Sequence, residues 1–268
     1  MRGRCRPARR IVHCGLPDTL MDQKSQAGEP TLSVVDASIT PPRARRVIAS
    51  HVDWQVAAGE FWLVGGRHGS GKTSFLATMA GLQRPATGSI RHFGVQLSEL
   101  SEPQLLRERE RVGYVFKSGG RMFSGLTVSE NVELPLRYHR ERENEKLDGR
   151  VRELLEATEL SNEADSTALN LGWDRQQRVG LARALAMNPE LLFLDEPLSG
   201  LEARDRNWWK KILNMLWEGC PLTGGRPTTM IITTNDFGSW AGGGHRCGLL
   251  EDGRWQPRDE KQEWPDLA

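Results

Sequence analysis

The sequence has few cysteines, and their positions exclude two classes of protein. There are four among 268 residues: Cys5, Cys14, Cys220 and Cys247. They have neither the paired spacing of a zinc site nor the density of a disulfide scaffold, so we expect free thiols in a reducing cytosol. A chain of this length can bury a full core without such links.

Long apolar runs and an excess of charge are also missing. No apolar stretch approaches the roughly 20 residues that cross a bilayer, so we expect any membrane role to depend on a partner. The formal net charge is +1, with 38% hydrophobic and 26% charged residues, which is ordinary for a globular protein. This balance gives no reason to expect nucleic acid as a partner.

Apolar patterning predicts strands at both sides of a Gly-rich segment. Thr31–Ala37 and Val47–Val56 alternate apolar and polar residues and are predicted to pair as antiparallel edge strands. Three short and mostly apolar segments are predicted to be buried strands, namely Glu60–Val64, Leu191–Leu194 and Thr229–Thr233. The chain ends in a hairpin signal, the apolar run CGLLE followed by Asp-Gly.

Helices are predicted between these strands. A helical spacing of apolar residues runs from Thr73 to Leu82 and stops at Pro85. Between Leu97 and Ala168 lie Arg- and Glu-rich helical segments and one strand, which predicts an inserted helical lobe. A later amphipathic helix carries one stripe that we interpret as core packing rather than a cofactor cage: Trp208, Trp209, Ile212, Leu213, Leu216 and Trp217.

The Gly-rich segment carries a specific chemical signal. Its letters GRHGSGKT fit G-x-x-x-x-G-K-S/T, placed after a predicted strand and before a predicted helix. Glycines let successive backbone N–H groups point at phosphates, while Lys72 is predicted to reach the β and γ oxygens and Thr73 to ligate Mg²⁺. The predicted phosphate-binding residues are Gly66, Arg67, His68, Gly69, Ser70, Gly71, Lys72, Thr73 and Ser74.

Two acids end a predicted buried strand downstream of this loop. Asp195 is predicted to hold the hydration shell of Mg²⁺, and Glu196 to polarise the attacking water as a general base. The alternative for each is a strand-end carboxylate that caps the next helix. The phosphate loop upstream favours the catalytic interpretation.

In the order of its motifs, the chain resembles the ATP-binding subunits of ABC transporters. The phosphate loop precedes VGYVF, and RQQRVGLARALAMNPELLFLDEPLSGLEARD is similar to a signature helix, Walker B strand and D-loop in succession. The resemblance implies an α/β P-loop NTPase fold, with a RecA-like mixed sheet flanked by helices, an antiparallel β edge and an inserted helical subdomain over about 97–178. The segment FKSGGRMFSGLTVSENVELPLRYH is most similar to Mla-type lipid-transport ATPases.

This resemblance implies a domain organisation. We place the ATP-binding domain at 31–256, after an extension over 1–30 that is Arg-rich and then polar, and before a tail over 257–268. The extension is expected to be disordered, or its first 20 residues untranslated with Met21 as the true start.

The resemblance also implies ligands, partners and a location. The ligands are ATP and Mg²⁺, and the partners are integral-membrane permease subunits and a second ABC ATPase subunit, identical or different. The segment Lys117–Leu136 is expected to meet the permease. The protein would then lie in the cytoplasm, peripheral at the inner face of the cell membrane.

The sequence departs from the family at the signature motif. LGWDR, residues 171–175, stands where the family has LSGGQ. Asp174 is expected to favour the helix start by about 1 kcal/mol as a cap. A carboxylate about 4 Å from a phosphate charge costs up to about 4 kcal/mol at an effective dielectric of 20, and Trp173 adds bulk beside Gly172. We therefore expect a sound helix and a weak ATP clamp.

Three further positions depart from the family. Lys117 replaces the glutamine after VGYVF, and its ammonium cannot ligate a cation, so it is predicted to pair with phosphate or Glu196. Asn235 stands at the switch-histidine position and carries no proton that titrates near pH 7. Lys117, Asn235 and Glu196 are the predicted catalytic residues. Where the family has an adenine-stacking aromatic, this chain has Pro41–Arg43, whose guanidinium is expected to stack instead.

Three hypotheses follow from these motifs and departures. The first is a transporter ATPase of reduced activity that pairs with a more regular subunit. The second is a non-hydrolytic nucleotide-binding regulator or scaffold. The third, an ABC ATPase acting on DNA or ribosomes, would carry long coiled-coil insertions, zinc knuckles or a tandem cassette, and the sequence has none. Nucleotide binding is expected to survive better than hydrolysis.

Overall fold

The computed structural model describes residues 28–41, 46–120, 122–139, 144–240 and 243–258. The strands are β1 Leu32–Ile39, β2 Ala49–Val56, β3 Phe61–Gly65, β4 Thr87–His92, β5 Val95–Gln96, β6 Val112–Val115, β7 Leu191–Asp195, β8 Thr229–Thr234, β9 Arg246–Glu251 and β10 Arg254–Arg258. The α-helices are α1 Lys72–Met79, α2 Glu102–Glu110, α3 Val128–His139, α4 Asn144–Ala157, α5 Trp173–Leu185 and α6 Ala203–Glu218.

The strands form two sheets. The smaller is antiparallel, in the order β2-β1-β4-β5. The larger has the order β10-β9-β3-β8-β7-β6, in which β9, β3, β8, β7 and β6 run parallel and β10 runs antiparallel to β9. The fold is therefore the expected α/β P-loop architecture with a mixed main sheet and an antiparallel β edge.

The main sheet is covered on both faces because its central strands send alternate side chains to two cores. Phe61 and Leu63 of β3 face the core shared with α3, α4, α5 and α6. Trp62 and Val64 face the core shared with β1, β2 and α1. Every residue of β3, β7 and β8 is buried, and each large apolar side chain there contributes about 1.5–3 kcal/mol.

Parallel pairing brings the predicted site residues to one edge of the main sheet. The carboxyl ends of β3, β6, β7 and β8 lie together because neighbouring parallel strands end on the same side. The Gly-rich loop follows β3, Lys117 follows β6, Asp195 and Glu196 end β7, and Asn235 follows β8. Segments distant in sequence thus converge without a separate binding domain.

The helical region between β5 and β7 differs in two ways from the predicted lobe. The sequence predicts one strand, Val112–Phe116, as part of this lobe. The structure has that strand as β6, which belongs to the main sheet and pairs with β7. A boundary at residue 178 would cut α5, which runs on to Leu185. Helix α5 is tied to α6 by Arg178, whose guanidinium lies 3.9 Å from the Trp208 ring centroid and 3.2 Å from an Asp205 carboxylate oxygen.

Several predicted bounds are wrong by a few residues. Helix α1 ends at Met79 rather than Leu82, because Gly81 takes a positive φ of 70° and turns the chain out of the helix. Strand β10 continues to Arg258, so a tail beginning at residue 257 would start inside the sheet. The sequence predicts neither β4 nor β5.

The predicted core stripe of α6 is present. Trp209, Ile212, Leu213 and Leu216 are buried, and Trp208 and Trp217 pack partly buried against the same core. Trp217 is also held by a hydrogen bond from its indole N–H to the carbonyl of Gly59, at 2.6 Å.

Some predictions fall on residues that the structure does not describe. These are the extension up to residue 27, the tail from residue 259, and Pro42 and Arg43 of the expected adenine site. In the part of the chain that is described, no helix is long and apolar enough to cross a membrane.

Candidate functional site

The loop between β3 and α1 needs glycine at two positions. A Cβ on Gly66 would lie 2.6 Å from the Ser70 hydroxyl oxygen and 2.7 Å from the Leu250 carbonyl oxygen. A Cβ on Gly71 would lie 2.7 Å from Ile48, and Gly71 has a φ of 98°, in the left-handed region. Among the described residues no side chain caps α1 at Gly71, so the first N–H groups of the helix have no side-chain acceptor there.

Lys72 lies under this loop and is almost fully buried. Its ammonium donates to the carbonyl oxygens of Gly66 at 2.7 Å and Arg67 at 3.2 Å, and lies 3.1 Å from an oxygen of Glu196. The Ser70 hydroxyl is buried and has no hydrogen-bond partner among the described residues. Uncapped helix N–H groups, an ammonium and an unpaired hydroxyl together make a cradle that fits a phosphate chain.

Asp195 lies buried at the end of β7, and threonines lie on two sides of it. The Thr233 hydroxyl on the neighbouring strand donates to its Oδ1 at 2.7 Å, and the Thr73 hydroxyl lies near enough to lower the pKa of this carboxyl group as a hydrogen-bond donor. Burial raises the pKa of Asp195, while these hydrogen bonds act in the opposite direction. The two residues predicted to hold Mg²⁺ are thus in contact, and a hydroxyl next to a carboxylate is a donor set that suits this cation.

Glu196 has both carboxylate oxygens in ion pairs. Oε1 lies 3.1 Å from Lys72 and Oε2 lies 2.7 Å from Lys117, and the side chain is only 7% exposed. Burial alone would raise the pKa of Glu196, but the hydrogen bonds from Lys117 and Lys72 outweigh it and hold the pKa below its usual range. The carboxylate is therefore ionised. The contact between Lys117 and Glu196 is one of the two pairings that the sequence predicts for Lys117.

A close backbone contact fixes the position of Lys117. This residue begins a single helical turn after β6, Lys117–Gly119, that packs on α5. A Cβ on Gly119 would lie 2.4 Å from the Gln176 carbonyl oxygen, and one on Gly180 would lie 2.8 Å from the Gly119 carbonyl oxygen. Only glycine at these two positions allows the turn to approach α5 this closely.

Asn235 and Glu196 line the same small cavity. Asn235 is exposed after β8, and Ser199 and Arg206 also line this cavity, whose volume is about 190 Å³. The next residue, Asp236, is hydrogen-bonded by Ser239, which lowers the pKa of its carboxyl group. The structure therefore brings all three predicted catalytic residues, Glu196, Lys117 and Asn235, to one edge of the sheet.

The match to known proteins agrees with this arrangement. The family model described as "ABC transporter" matches residues 49–199, more than half of the chain. The chain is an ABC transporter ATP-binding domain. The matched segment runs from β2 to the residues after β7. It contains the phosphate loop, the strands and the helices in the expected order.

Curated relatives of this ABC cassette are import proteins. The methionine import ATP-binding protein MetN of Carboxydothermus hydrogenoformans is 33% identical over 82% of this chain and 64% of its own length. The sulfate/thiosulfate import ATP-binding protein CysA of Escherichia coli is 34% identical over 72% of this chain and 52% of its own length. The chain thus spans about half to two thirds of these relatives.

Solved ABC cassettes have the same fold. A dimeric ATP-binding cassette in a post-hydrolysis state, bound to ADP and Pi, has a TM-score of 0.74 and 27% identity, covering 85% of this chain and 99% of that one. The protein cbiO1 from Clostridium perfringens, part of an ABC transporter complex, has a TM-score of 0.67 at 22% identity. The second likeness supports the fold alone.

The signature helix of this cassette starts differently from the prediction. The residue before α5 is Gly172, with no side-chain cap among the described residues, and Asp174 lies in the first turn instead. The expected capping by Asp174 is therefore wrong, and its carboxylate stabilises α5 only through the positive end of the helix dipole. Arg175 lies 3.9 Å from Asp174 and 3.8 Å from Glu163. Trp173 is 44% exposed.

The other predicted loop residues have ordinary surroundings. His68 is exposed, and Arg67 lies 3.9 Å from Glu251. Ser74 lies partly buried in the first turn of α1, where its carbonyl accepts from the Thr78 hydroxyl at 2.7 Å. Of the expected adenine site only Pro41 is described, and it is partly buried.

Sequence reasoning missed Thr233 as part of the site. Its hydroxyl donates to Asp195 and accepts the backbone N–H of Glu196 at 2.9 Å, so one side chain orients both acids. The signal is a threonine in β8 directly opposite Asp195 of β7. That pairing depends on the register of two strands, which the sequence pattern leaves open.

Proposed function

We propose that the chain is the ATP-binding subunit of an ABC transporter and that it couples ATP binding and slow hydrolysis to movement of permease subunits. The 3.1 Å contact between Lys72 of the phosphate loop and Glu196 at the end of β7 carries this proposal. It joins a phosphate cradle to a buried carboxylate, the pairing that a nucleoside triphosphate with Mg²⁺ requires.

Each residue of the site has a defined part in binding ATP. The N–H groups at the start of α1 and the Ser70 hydroxyl donate to phosphate oxygens, and Lys72 contributes a buried positive charge. Thr73 and Asp195 would hold Mg²⁺, which neutralises phosphate charge when bound. The carbonyls of Gly66 and Arg67 keep the Lys72 ammonium at the base of the loop.

Reduced hydrolysis follows from the state of Glu196. A general base needs a carboxylate oxygen within hydrogen-bond reach of the water it activates. Here both oxygens are paired with lysines, at 3.1 Å and 2.7 Å, and the lowered pKa weakens the carboxylate as a proton acceptor. Glu196 acts as a base only when one of these pairs opens.

We propose that the permease contacts an exposed apolar surface on the helical region. Phe123 and Tyr138 are 53% and 67% exposed, and they line a shallow groove with Leu134, Pro135 and Arg137. Exposed aromatic groups of this kind favour contact with another protein. A helix of the permease is the expected occupant, and a second ATPase subunit, identical or different, would complete the nucleotide site.

The transported substrate depends on the membrane subunits, yet the relatives favour one class. MetN and CysA are named for import of methionine and of sulfate or thiosulfate. We therefore propose import of a small polar solute, and these relatives give no support to the lipid transport that the Mla-like segment suggests. Binding to a permease would hold the chain at the cytoplasmic face of the membrane.

Equilibrium titration with ATP in magnesium buffer tests the nucleotide site. We expect saturable binding that Lys72→Ala weakens by at least about tenfold, because the variant removes a buried cation next to the phosphates. Lys211→Ala on the exposed side of α6 is the matched control and should bind like the parent. Absence of ATP binding by the parent would refute the proposal.

A non-hydrolytic regulator remains the second candidate, favoured by the double pairing of Glu196. Turnover of Glu196→Gln against the parent separates the two functions. The ATPase proposal expects the variant to lose at least about tenfold in rate, within the range for removal of a general base. Equal rates would favour the regulator.

A further inference from the structure

Lys117 adds a second positive charge to the nucleotide site. Its ammonium is 2.7 Å from one oxygen of Glu196, and the Lys72 ammonium is 3.1 Å from the other. Asp195, the last residue of β7, directly precedes Glu196 and is itself buried. Two cations and two carboxylates thus lie together at the end of β7.

These four groups balance in charge without a metal ion. Lys72 and Lys117 contribute two positive charges, and Asp195 and Glu196 two negative charges. With a neutral residue at position 117 the same cluster would have a net charge of −1, and an arriving phosphate chain would meet a repulsive site. Because Lys72, Asp195 and Glu196 are buried, water screens that charge only weakly.

The backbone that carries Lys117 is held in place by a close contact. The turn Lys117–Gly119 approaches α5 so closely that a Cβ on Gly119 or Gly180 would collide with main-chain atoms. The lysine stem therefore starts from a fixed position. Its side chain is 38% exposed, and the pair with Glu196 at 2.7 Å anchors the ammonium in the site.

We propose that Lys117 is a built-in cation of the nucleotide site, which replaces part of the charge neutralisation by Mg²⁺ and makes ATP binding only weakly dependent on that metal. Lys117 is thus a positioning and specificity-determining residue. Its charge sets how strongly the affinity for ATP depends on Mg²⁺. The inference rests on the proposed ATP binding. It predicts that affinity for ATP survives chelation of magnesium.

The test is equilibrium titration of the full chain with ATP, once in excess Mg²⁺ and once in EDTA. For the parent we expect the dissociation constant to rise by less than about threefold on chelation. For Lys117→Gln, which keeps a polar side chain but removes the charge, we expect a rise of at least about tenfold. Lys117→Arg should restore the parent behaviour because it keeps the charge. Lys211→Gln is the control for loss of a surface lysine.

The outcomes separate this inference from the function on which it rests. A parent that binds ATP in Mg²⁺ but whose dissociation constant rises by more than about threefold in EDTA overturns the role of Lys117 and leaves ATP binding intact. A parent that binds ATP in neither buffer overturns both. A Lys117→Gln variant whose dissociation constant rises no more than that of the parent also overturns the role of Lys117. If Lys117→Gln does not fold, Lys117→Met, which removes the same charge, replaces it in this comparison.

Discussion

At the residue scale, the site depends on hydroxyl groups that connect charged side chains. Thr233 donates to Asp195 and accepts from the backbone of Glu196, and Thr73 contacts Asp195 from the phosphate loop. Each acid is therefore oriented by a neutral neighbour on another segment. Buried charges keep a defined position only when their remaining hydrogen bonds are satisfied in this way.

Replacing Thr233 by valine keeps the shape and removes both hydrogen bonds. We expect Thr233→Val to lower the free energy of unfolding by about 2 kcal/mol or more, because it leaves a buried carboxylate oxygen and a buried N–H without a partner. Urea denaturation measures this. Thr78→Val is the matched control: that hydroxyl is also buried, but among the described residues it bonds to the Ser74 carbonyl alone, so the loss should stay below about 1 kcal/mol. Equal losses would contradict the connecting role of Thr233.

Two buried histidines predict how stability depends on pH. Burial lowers the pKa of His92 and of His245 to about 4, from an ordinary value of 6.5. Above pH 6.5 both histidines are neutral in the folded and in the unfolded state, so they add no pH dependence to the free energy of unfolding. As the pH falls from 6.5 towards 4 only the unfolded chain gains protons, so the folded state loses stability.

At pH 5 this loss amounts to about 2 kcal/mol for each histidine. His92→Gln keeps an amide donor for the Met79 carbonyl, which the ring nitrogen reaches at 2.7 Å, and removes the titration. We expect the fall in unfolding free energy between pH 7.5 and pH 5 to be smaller by about 2 kcal/mol in the variant. Urea denaturation at both pH values measures this fall. If the free energy of unfolding falls equally in the variant and the parent, burial of His92 does not cause the loss of stability between pH 7.5 and pH 5.

At the element scale, the sequence identifies the elements whose pattern is complete within one segment. Strands β3, β7 and β8 are predictable because both of their faces are buried, which requires an unbroken apolar run. Strand β4 is missed because only Ile90 and His92 of TGSIRH are buried, so no alternation is visible. The end of α1 is missed because Gly81, rather than Pro85, turns the chain.

The same distinction holds for the candidate site. The loop around Lys72 and the two acids at the end of β7 are encoded by local motifs and are predicted with their positions. The pairing of Lys117 with Glu196 appears in the sequence only as one of two options, because it joins residues 79 positions apart. The role of Gly119 is not predictable, since it depends on how closely one turn approaches α5.

The contact between this turn and α5 can be tested by adding one carbon atom. Gly119 has a φ of 70°, and a Cβ there would lie 2.4 Å from the Gln176 carbonyl oxygen. We expect Gly119→Ala to lower the free energy of unfolding by about 2 kcal/mol or more through overpacking and an unfavourable φ. At Gly125 no described atom lies within 4 Å of the position that a Cβ would take, so Gly125→Ala is the matched control and should be close to neutral. A neutral Gly119→Ala would mean that the turn does not depend on this approach.

At the scale of the whole molecule, the main sheet gathers the nucleotide-binding groups at one edge and leaves two surfaces for partners. One is the groove around Phe123 and Tyr138 on the helical region. The other is the start of α5, where Trp173 is exposed and Asp174 lies in the first turn. Because these surfaces belong to different elements, substitutions at one surface should leave the binding of a partner at the other surface unchanged.

Asp174 provides the test of the second surface. If two ATP-loaded chains associate so that the start of α5 of one faces the phosphates of the other, its carboxylate opposes the contact by up to about 4 kcal/mol at about 4 Å and an effective dielectric of 20. Asp174→Asn keeps the shape and removes the charge. In sedimentation velocity with ATP and Mg²⁺, performed in the Glu196→Gln background to prevent turnover, we expect self-association to tighten by at least about tenfold.

The control for Asp174→Asn is Glu163→Gln, because Glu163 is the other carboxylate near Arg175, at 3.8 Å. It should leave self-association unchanged, since it neutralises a neighbour of the same arginine outside the start of α5. Added salt should narrow the difference between parent and Asp174→Asn, because screening weakens a repulsion between charges at the subunit surface. Identical self-association of parent and variant at low salt would mean that this carboxylate does not face the partner's phosphates, and that the weak clamp has another cause.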